Sequence, residues 1–174
     1  MKQFDTGILL NEQNIKLHRS WFKQMTKLVG LNVWYQSPID TADDPKEYSD
    51  YGELHPTYGK GRVVGCIFDE HPSQKTMRML GWNAEMAETT TVIHVPYDLP
   101  GLQAGARFVI PSGIDNGPPR VFKVLRMSTI AVYPASISCE LGPVLESTLT
   151  EEEVTTFTST NFNLLADESD EYGH

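Results

Sequence analysis

Thr89–Glu146 reads TTTVIHVPYDLPGLQAGARFVIPSGIDNGPPRVFKVLRMSTIAVYPASISCELGPVLE. Runs of β-branched and aromatic residues alternate with Pro/Gly turns, and nowhere is there room for a long helix, which is the pattern of a compact antiparallel β-unit. Strands are expected at Thr89–Val95, ended by Pro96, and at Ala106–Ile110, closed by Pro111. Two more follow at Arg120–Met127 and at Ala135–Leu141, the last stopped by Gly142-Pro143. Ser112–Pro119 is a tight hairpin-like loop with Asn116-Gly117 at its tip. Arg120–Met127 alternates strictly, with Val121, Lys123, Leu125 and Met127 on one face and Arg120, Phe122, Val124 and Arg126 on the other.

Upstream of this unit, Arg62–Asp69 (RVVGCIFD) reads as a strand with Gly65 as a candidate bulge. His71-Pro72-Ser73 turns the chain. Lys75–Leu80 (KTMRML) alternates polar and apolar residues and is expected to pair back as the second arm of a hairpin. Trp82, in the connection that follows, is expected to anchor a core or an interface. Leu31–Gln36 (LNVWYQ) is a strand that starts directly after the one good helix, Asn11–Val29.

That helix has Asn11 as N-cap and Glu12 in its first turn, where an acid suits the helix dipole. Ile15, His18, Phe22, Met25 and Val29 make its apolar stripe, widened by Trp21 and Leu28, and Gly30 is expected to cap it in the left-handed conformation. Lys16, Arg19, Lys23 and Lys27 lie off the stripe and make the solvent face basic. Such a face is either simply solvated or a contact for an acidic partner or DNA.

The expected fold is therefore mainly β: a small antiparallel β-barrel or sandwich with one N-terminal α-helix and extended arms. Residues 1–30 form the arm and helix, 31–146 the β-barrel domain with a long loop at 37–60, and 147–174 an acidic extended tail. The loop is rich in Pro, Gly and Asp. Its acids lack the spacing and central Gly of a calcium loop. Its tyrosines, Tyr48, Tyr51 and Tyr58, offer apolar area with a polar tip, suited to anchoring the loop on its own domain or on a partner.

The chain has 174 residues and a net charge of −9, with 40% hydrophobic and 21% charged residues, ordinary proportions for a folded domain. The charge is uneven: after Leu145 come eight acids (Glu146, Glu151, Glu152, Glu153, Asp167, Glu168, Asp170, Glu171) and no Lys or Arg, which leaves the rest near −1. A chain this acidic has no general attraction for nucleic acid. Phe162, Leu164 and Leu165 interrupt the tail as a short apolar anchor suited to another surface. No apolar run approaches the length of a membrane span, and the short Ile8–Leu10 patch is no signal core, so a cytoplasm-like compartment is expected.

No chemistry announces itself. There is no GxSxG elbow, no HExxH or HxH pair and no GxxxxGK[ST] loop, and Cys66 and Cys139 stand far apart without a metal-ligand pattern. They are expected as small buried hydrophobes, with a disulfide between them left open. A non-enzyme without cofactor, catalytic residue or metal is expected.

Three short motifs add a resemblance: Gly105-Ala106-Arg107-Phe108-Val109-Ile110-Pro111, then Arg120-Val121-Phe122-Lys123-Val124, then Ile137-Ser138-Cys139-Glu140-Leu141. Their order resembles that of the head-completion (stopper) proteins of tailed-bacteriophage necks, over about half the chain. The N-terminal helix and the acidic tail are additions to that pattern. The resemblance implies a virion protein, made in the host cytoplasm and located in the neck. It would form a homo-oligomeric ring that joins portal or adaptor to tail proteins and helps retain packaged DNA without sequence-specific binding and without a membrane. Loop 37–60 and the hairpin 112–119, which contains Asp115 and Asn116, are then the candidate channel loops. The residues expected at partner interfaces are Trp21, Tyr48, Tyr51, Tyr58, Trp82, Asp115, Asn116, Phe162, Leu164 and Leu165. Two other readings stand beside it: a tail-terminator or tail-tube ring, which the N-terminal helix suits, and a small-barrel nucleic-acid-binding module, which the basic helix face suits.

Overall fold

The computed structural model describes residues 12–39, 57–110, 119–128, 135–144, 151, 152 and 155. Helix α1 (Glu12–Val29) leads into strand β1 (Leu31–Gln36) and then β2 (Arg62–Asp69). A short helix α2 (Gln74–Met79) and a 3-10 helix (Ala84–Thr89) precede β3 (Thr91–Pro96), β4 (Arg107–Ile110), β5 (Arg120–Met127) and β6 (Ser136–Pro143). The six strands close into a barrel in the order β1-β2-β3-β6-β5-β4. The expected small antiparallel β-barrel with one N-terminal helix is thus the observed architecture. Closure gives each of the six described strands a neighbour on both sides.

By internal contacts the chain divides into two compact units. The first holds α1, the later part of β2, α2, the 3-10 helix, β3 and most of β6. In it β2 and β3 run antiparallel with Ile67 opposite His94, Phe68 opposite Ile93 and Asp69 opposite Val92. Val92 packs into a cluster with Met77, Trp82 and Ala87, while its neighbours Ile93 and Val95, on the opposite face by strand alternation, are fully buried as well. Met77 of α2 and Ala87 of the 3-10 helix pack on the Val92 face of β3, so this strand buries apolar residues on both faces.

The second unit holds most of β1, the start of β2, β4, β5 and the end of β6. β4 lies between β1 and β5, pairing Tyr35 with Phe108 and Phe108 with Phe122. Tyr35 and Phe108 rings meet at 5.1 Å between centroids in a tilted pair. On the other face Val63, Val109 and Val121 form a cluster flanked by Trp34 and Val144. All four residues of β4 are buried, as expected of a strand covered on both sides. The ends of the long loop are tied in antiparallel fashion at Pro38 and Tyr58, with Ile39 N–H donating to Thr57 O (2.7 Å) and Gly59 N–H to Ser37 O (2.9 Å).

Three expectations are corrected. Lys75–Leu80 is not a strand: Gln74–Met79 is helical. Ser73 caps it, accepting from Thr76 N–H at 3.1 Å, and the chain leaves through a left-handed Gly81 (φ 75°) with Trp82 N–H bonded to Met77 O and Gly81 N–H to Arg78 O. That is the Schellman pattern. Only Met77 of the segment is buried, so one apolar contact rather than a period of two decides it. Gly30, second, is not among the described glycines with positive φ. A Cβ there would stand 2.3 Å from Thr26 O and 2.6 Å from Cys66 O, so Gly30 is required by the close approach of the helix end to β2. Third, Val29 of the expected stripe of α1 and the residues expected to widen it, Trp21 and Leu28, are exposed, and Phe22 and Thr26 make the buried contact.

Candidate interaction surface

Helix α1 projects a side chain about every 100°, which sorts its residues into three lengthwise faces. Phe22 and Thr26 are buried, and the Thr26 hydroxyl is satisfied by donating to Lys23 O at 2.9 Å. A second face carries Lys16, Arg19, Ser20, Lys23 and Lys27. A third carries Leu17, Trp21 and Leu28, with exposures of 66%, 57% and 81%. These numbers set the stripe apart: an exposed Leu is ordinary, but three large apolar groups aligned on one helix face are a patch.

The basic face forms one wall of an open groove of about 440 Å³ whose other side includes Tyr97, just after β3. The Arg19 guanidinium lies 3.4 Å from the Tyr97 ring centroid, and Lys23 Nζ is 3.1 Å from Asp98 Oδ2. These two contacts brace the helix against the end of β3. Lys16 Nζ pairs with Glu12, one turn back, at 2.7 Å, and Lys16 holds the Glu12 carboxyl below its usual range. Both ion pairs are solvent-exposed, so each contributes little and is easily exchanged for another anion. Four cations against two acids make the groove a place for carboxylates or phosphates.

A different cluster fixes Tyr58. Arg107, buried inside β4, donates from Nε and Nη2 to Gln36 Oε1 at 3.0 and 2.7 Å and lies 4.2 Å from the Tyr58 ring centroid. Tyr58 Oη donates to Gly105 O at 3.4 Å. Among the residues expected at interfaces, Tyr58 is therefore half-buried and held by its own unit. Trp82 is a core anchor, 8% exposed against Met77, Ala87 and Val92. Trp21 is exposed on α1. Tyr48, Tyr51, Asp115, Asn116, Phe162, Leu164 and Leu165 lie outside the described residues. The Leu17–Leu28 stripe itself is readable from spacing, because Leu17, Trp21 and Leu28 recur at four and seven residues; the apolar period alone assigns Trp21 and Leu28 to the wrong face.

The titratable interior is sparse. Cys66 and Cys139 are free thiols, both buried. Desolvation raises both, Cys139 to about 12, and Cys66 Sγ donates to Leu31 O at 3.3 Å. His94 on β3 has Nδ1 2.7 Å from Ser138 Oγ on β6; burial lowers its pKa below 6.5, with the Asp69 charge pulling weakly the other way. Among the described residues no group of three or more His, Cys, Asp or Glu comes together as a metal site, and no buried side-chain polar atom is left without a partner. No described helix is long and apolar enough to cross a membrane.

The fold and the surface together define a closed six-stranded antiparallel barrel that carries a two-faced, amphipathic and basic helix. Comparison of the chain with protein-family models, curated proteins and solved structures finds no match.

Proposed function

We propose that the protein is a structural subunit of a tailed-phage neck, a ring that joins head to tail and helps retain packaged DNA. The observation that carries this reading is the placement of the three motifs that resemble head-completion proteins. The described part of the first, 105–110, runs into β4; the second lies in β5 and the third in β6, which are neighbouring strands of one closed barrel. The kind of surface is in keeping with it. Large apolar side chains are exposed on α1 (Trp21), on α2 (Met79) and on β5 (Leu125), as on a subunit that works through contacts with neighbours.

The test is assembly. Purified full-length protein, mixed with portal rings and with tail proteins from the same particle, should form rings that bind one or both, visible by electron microscopy. A protein that stays monomeric and ignores both overturns the reading. Symmetry and position in images of whole particles separate a neck ring from a tail-terminator or tail-tube ring, the alternative favoured by the bracing of α1 against Tyr97 and Asp98.

A nucleic-acid-binding module is the second reading, favoured by the cations that line the groove beside α1. It requires duplex or single-stranded DNA binding that falls steeply as salt rises, since released counterions supply such affinity. A flat salt response removes it.

A further inference from the structure

From the two exposed faces of α1 we infer that the helix docks the C-terminal segment of a second copy of this chain, Asn161–Glu171. The inference deepens the ring reading by naming one of its contacts. Leu17, Trp21 and Leu28 are exposed in the single chain and form an apolar stripe open to a partner. It runs along about 16 Å of helix, from 1.5 Å of rise per residue. Beside it run Lys16, Lys23 and Lys27. A complementary partner must therefore bring apolar groups and carboxylates close together.

The segment Asn161–Glu171, NFNLLADESDE, has that composition: Phe162, Leu164 and Leu165 first, then Asp167, Glu168, Asp170 and Glu171. Charge distribution favours the match as well. Eight of the acids lie after Leu145, where there is no Lys or Arg, whereas the cations of α1 share one helix face. The apolar anchors would seat on Leu17, Trp21 and Leu28, and the acids would take Lys16 and Lys23 from their exposed pairs with Glu12 and Asp98. Those pairs are weak enough to exchange. A tail given to one neighbour and a helix offered to the other is a head-to-tail contact, the kind that closes rings.

The experiment is a charge swap in the full-length chain, read by sedimentation at low and moderate salt. Wild type should self-associate, less as salt rises. A helix-reversed variant (K16E, K23E and K27E) and a tail-reversed variant (D167K, E168K, D170K and E171K) should each be monomeric. Mixed together, the two should associate, because the basic tail of one now fits the acidic helix of the other. A single chain carrying both sets should regain self-association, which also proves that the reversed helix is folded. Trp21→Ala, with every charge intact, should weaken association on the order of tenfold or more, as loss of an aromatic anchor does.

Monomeric wild type, a reversed variant that associates like wild type, or a mixture that stays apart overturns the proposal. Loss of DNA binding in the helix-reversed variant, with association unchanged in the tail-reversed one, also overturns it and assigns the face to nucleic acid. Failure to bind portal rings while the charge swap behaves as stated fails the neck reading alone; rings that tolerate tail reversal fail this contact alone.

Discussion

Arg107 places two guanidinium donors on the single Oε1 of Gln36, at 3.0 Å from Nε and 2.7 Å from Nη2, and the pair spans the β1–β4 register position where Gln36 and Arg107 face each other. The same guanidinium covers the Tyr58 ring, so one buried cation ties β4, β1 and the end of the long loop. Arg107→Lys keeps the charge but loses the planar fork and the stack. It should cost about 2 kcal/mol of unfolding free energy, the scale of a charged hydrogen bond broken in a buried place. Urea denaturation of the two proteins measures it, and an unchanged midpoint would show that the fork contributes nothing.

His94 gives the barrel a dependence on pH. Its folded-state pKa lies below the ordinary 6.5, because burial disfavours the imidazolium more than Asp69 favours it. Above pH 6.5 both folded and unfolded chains hold the ring neutral and this contribution is complete. As pH falls below 6.5 the unfolded chain takes up a proton that the folded chain refuses, so stability declines until the lower folded pKa is reached. Melting curves between about pH 8 and pH 5 should show His94→Asn losing less stability than wild type over that interval. Parallel profiles would remove His94 as the cause.

The barrel is legible where local pattern and tertiary cover agree. Arg120–Met127 is a strand to the residue, since Phe122 and Val124 alternate with exposed Lys123 and Leu125. Lys75–Leu80 misleads because its alternation is real but irrelevant: no described strand pairs with it, and Ser73 and Gly81, both visible in the sequence, specify a helix between them. Gly30 resembles a left-handed cap because it follows a helix; the reasons for Gly are the carbonyl of Thr26, one turn back, and the Cys66 carbonyl of β2, the second of which no local reading can see. The interaction surface is half legible. Spacing alone assigns the four cations of α1 to its solvent face, but it folds Trp21 and Leu28 into the packed stripe, since periodicity cannot tell which of two apolar faces meets the body.

The caps of α2 are testable one at a time. Ser73→Ala removes the oxygen that accepts from Thr76 N–H and should cost about 1 kcal/mol. Gly81→Ala forces an L side chain to φ 75° and should cost about 1 to 2 kcal/mol. Thermal melts read both, and hydrogen exchange should show faster opening of the helix amides. A Gly81→Ala variant as stable as wild type would mean that the turn is not held where Trp82 places it.

Met77 is the side chain on which the α2 packing rests. It is fully buried in the cluster with Trp82, Ala87 and Val92, and it is the only buried residue of its helix. Met77→Ala removes most of that apolar contact and leaves a space that a short, capped helix can close only in part. The expected loss is about 2–5 kcal/mol, from the transfer of the removed atoms plus the residual cavity. Met77→Leu keeps nearly the same volume and should cost less than about 1.5 kcal/mol. Chemical denaturation of the three proteins orders them. Because Trp82 lies in the same cluster, its fluorescence should shift to longer wavelength in Met77→Ala as water reaches the indole. Equal stability of the Ala and Leu variants would mean that the cluster does not carry the fold of this unit.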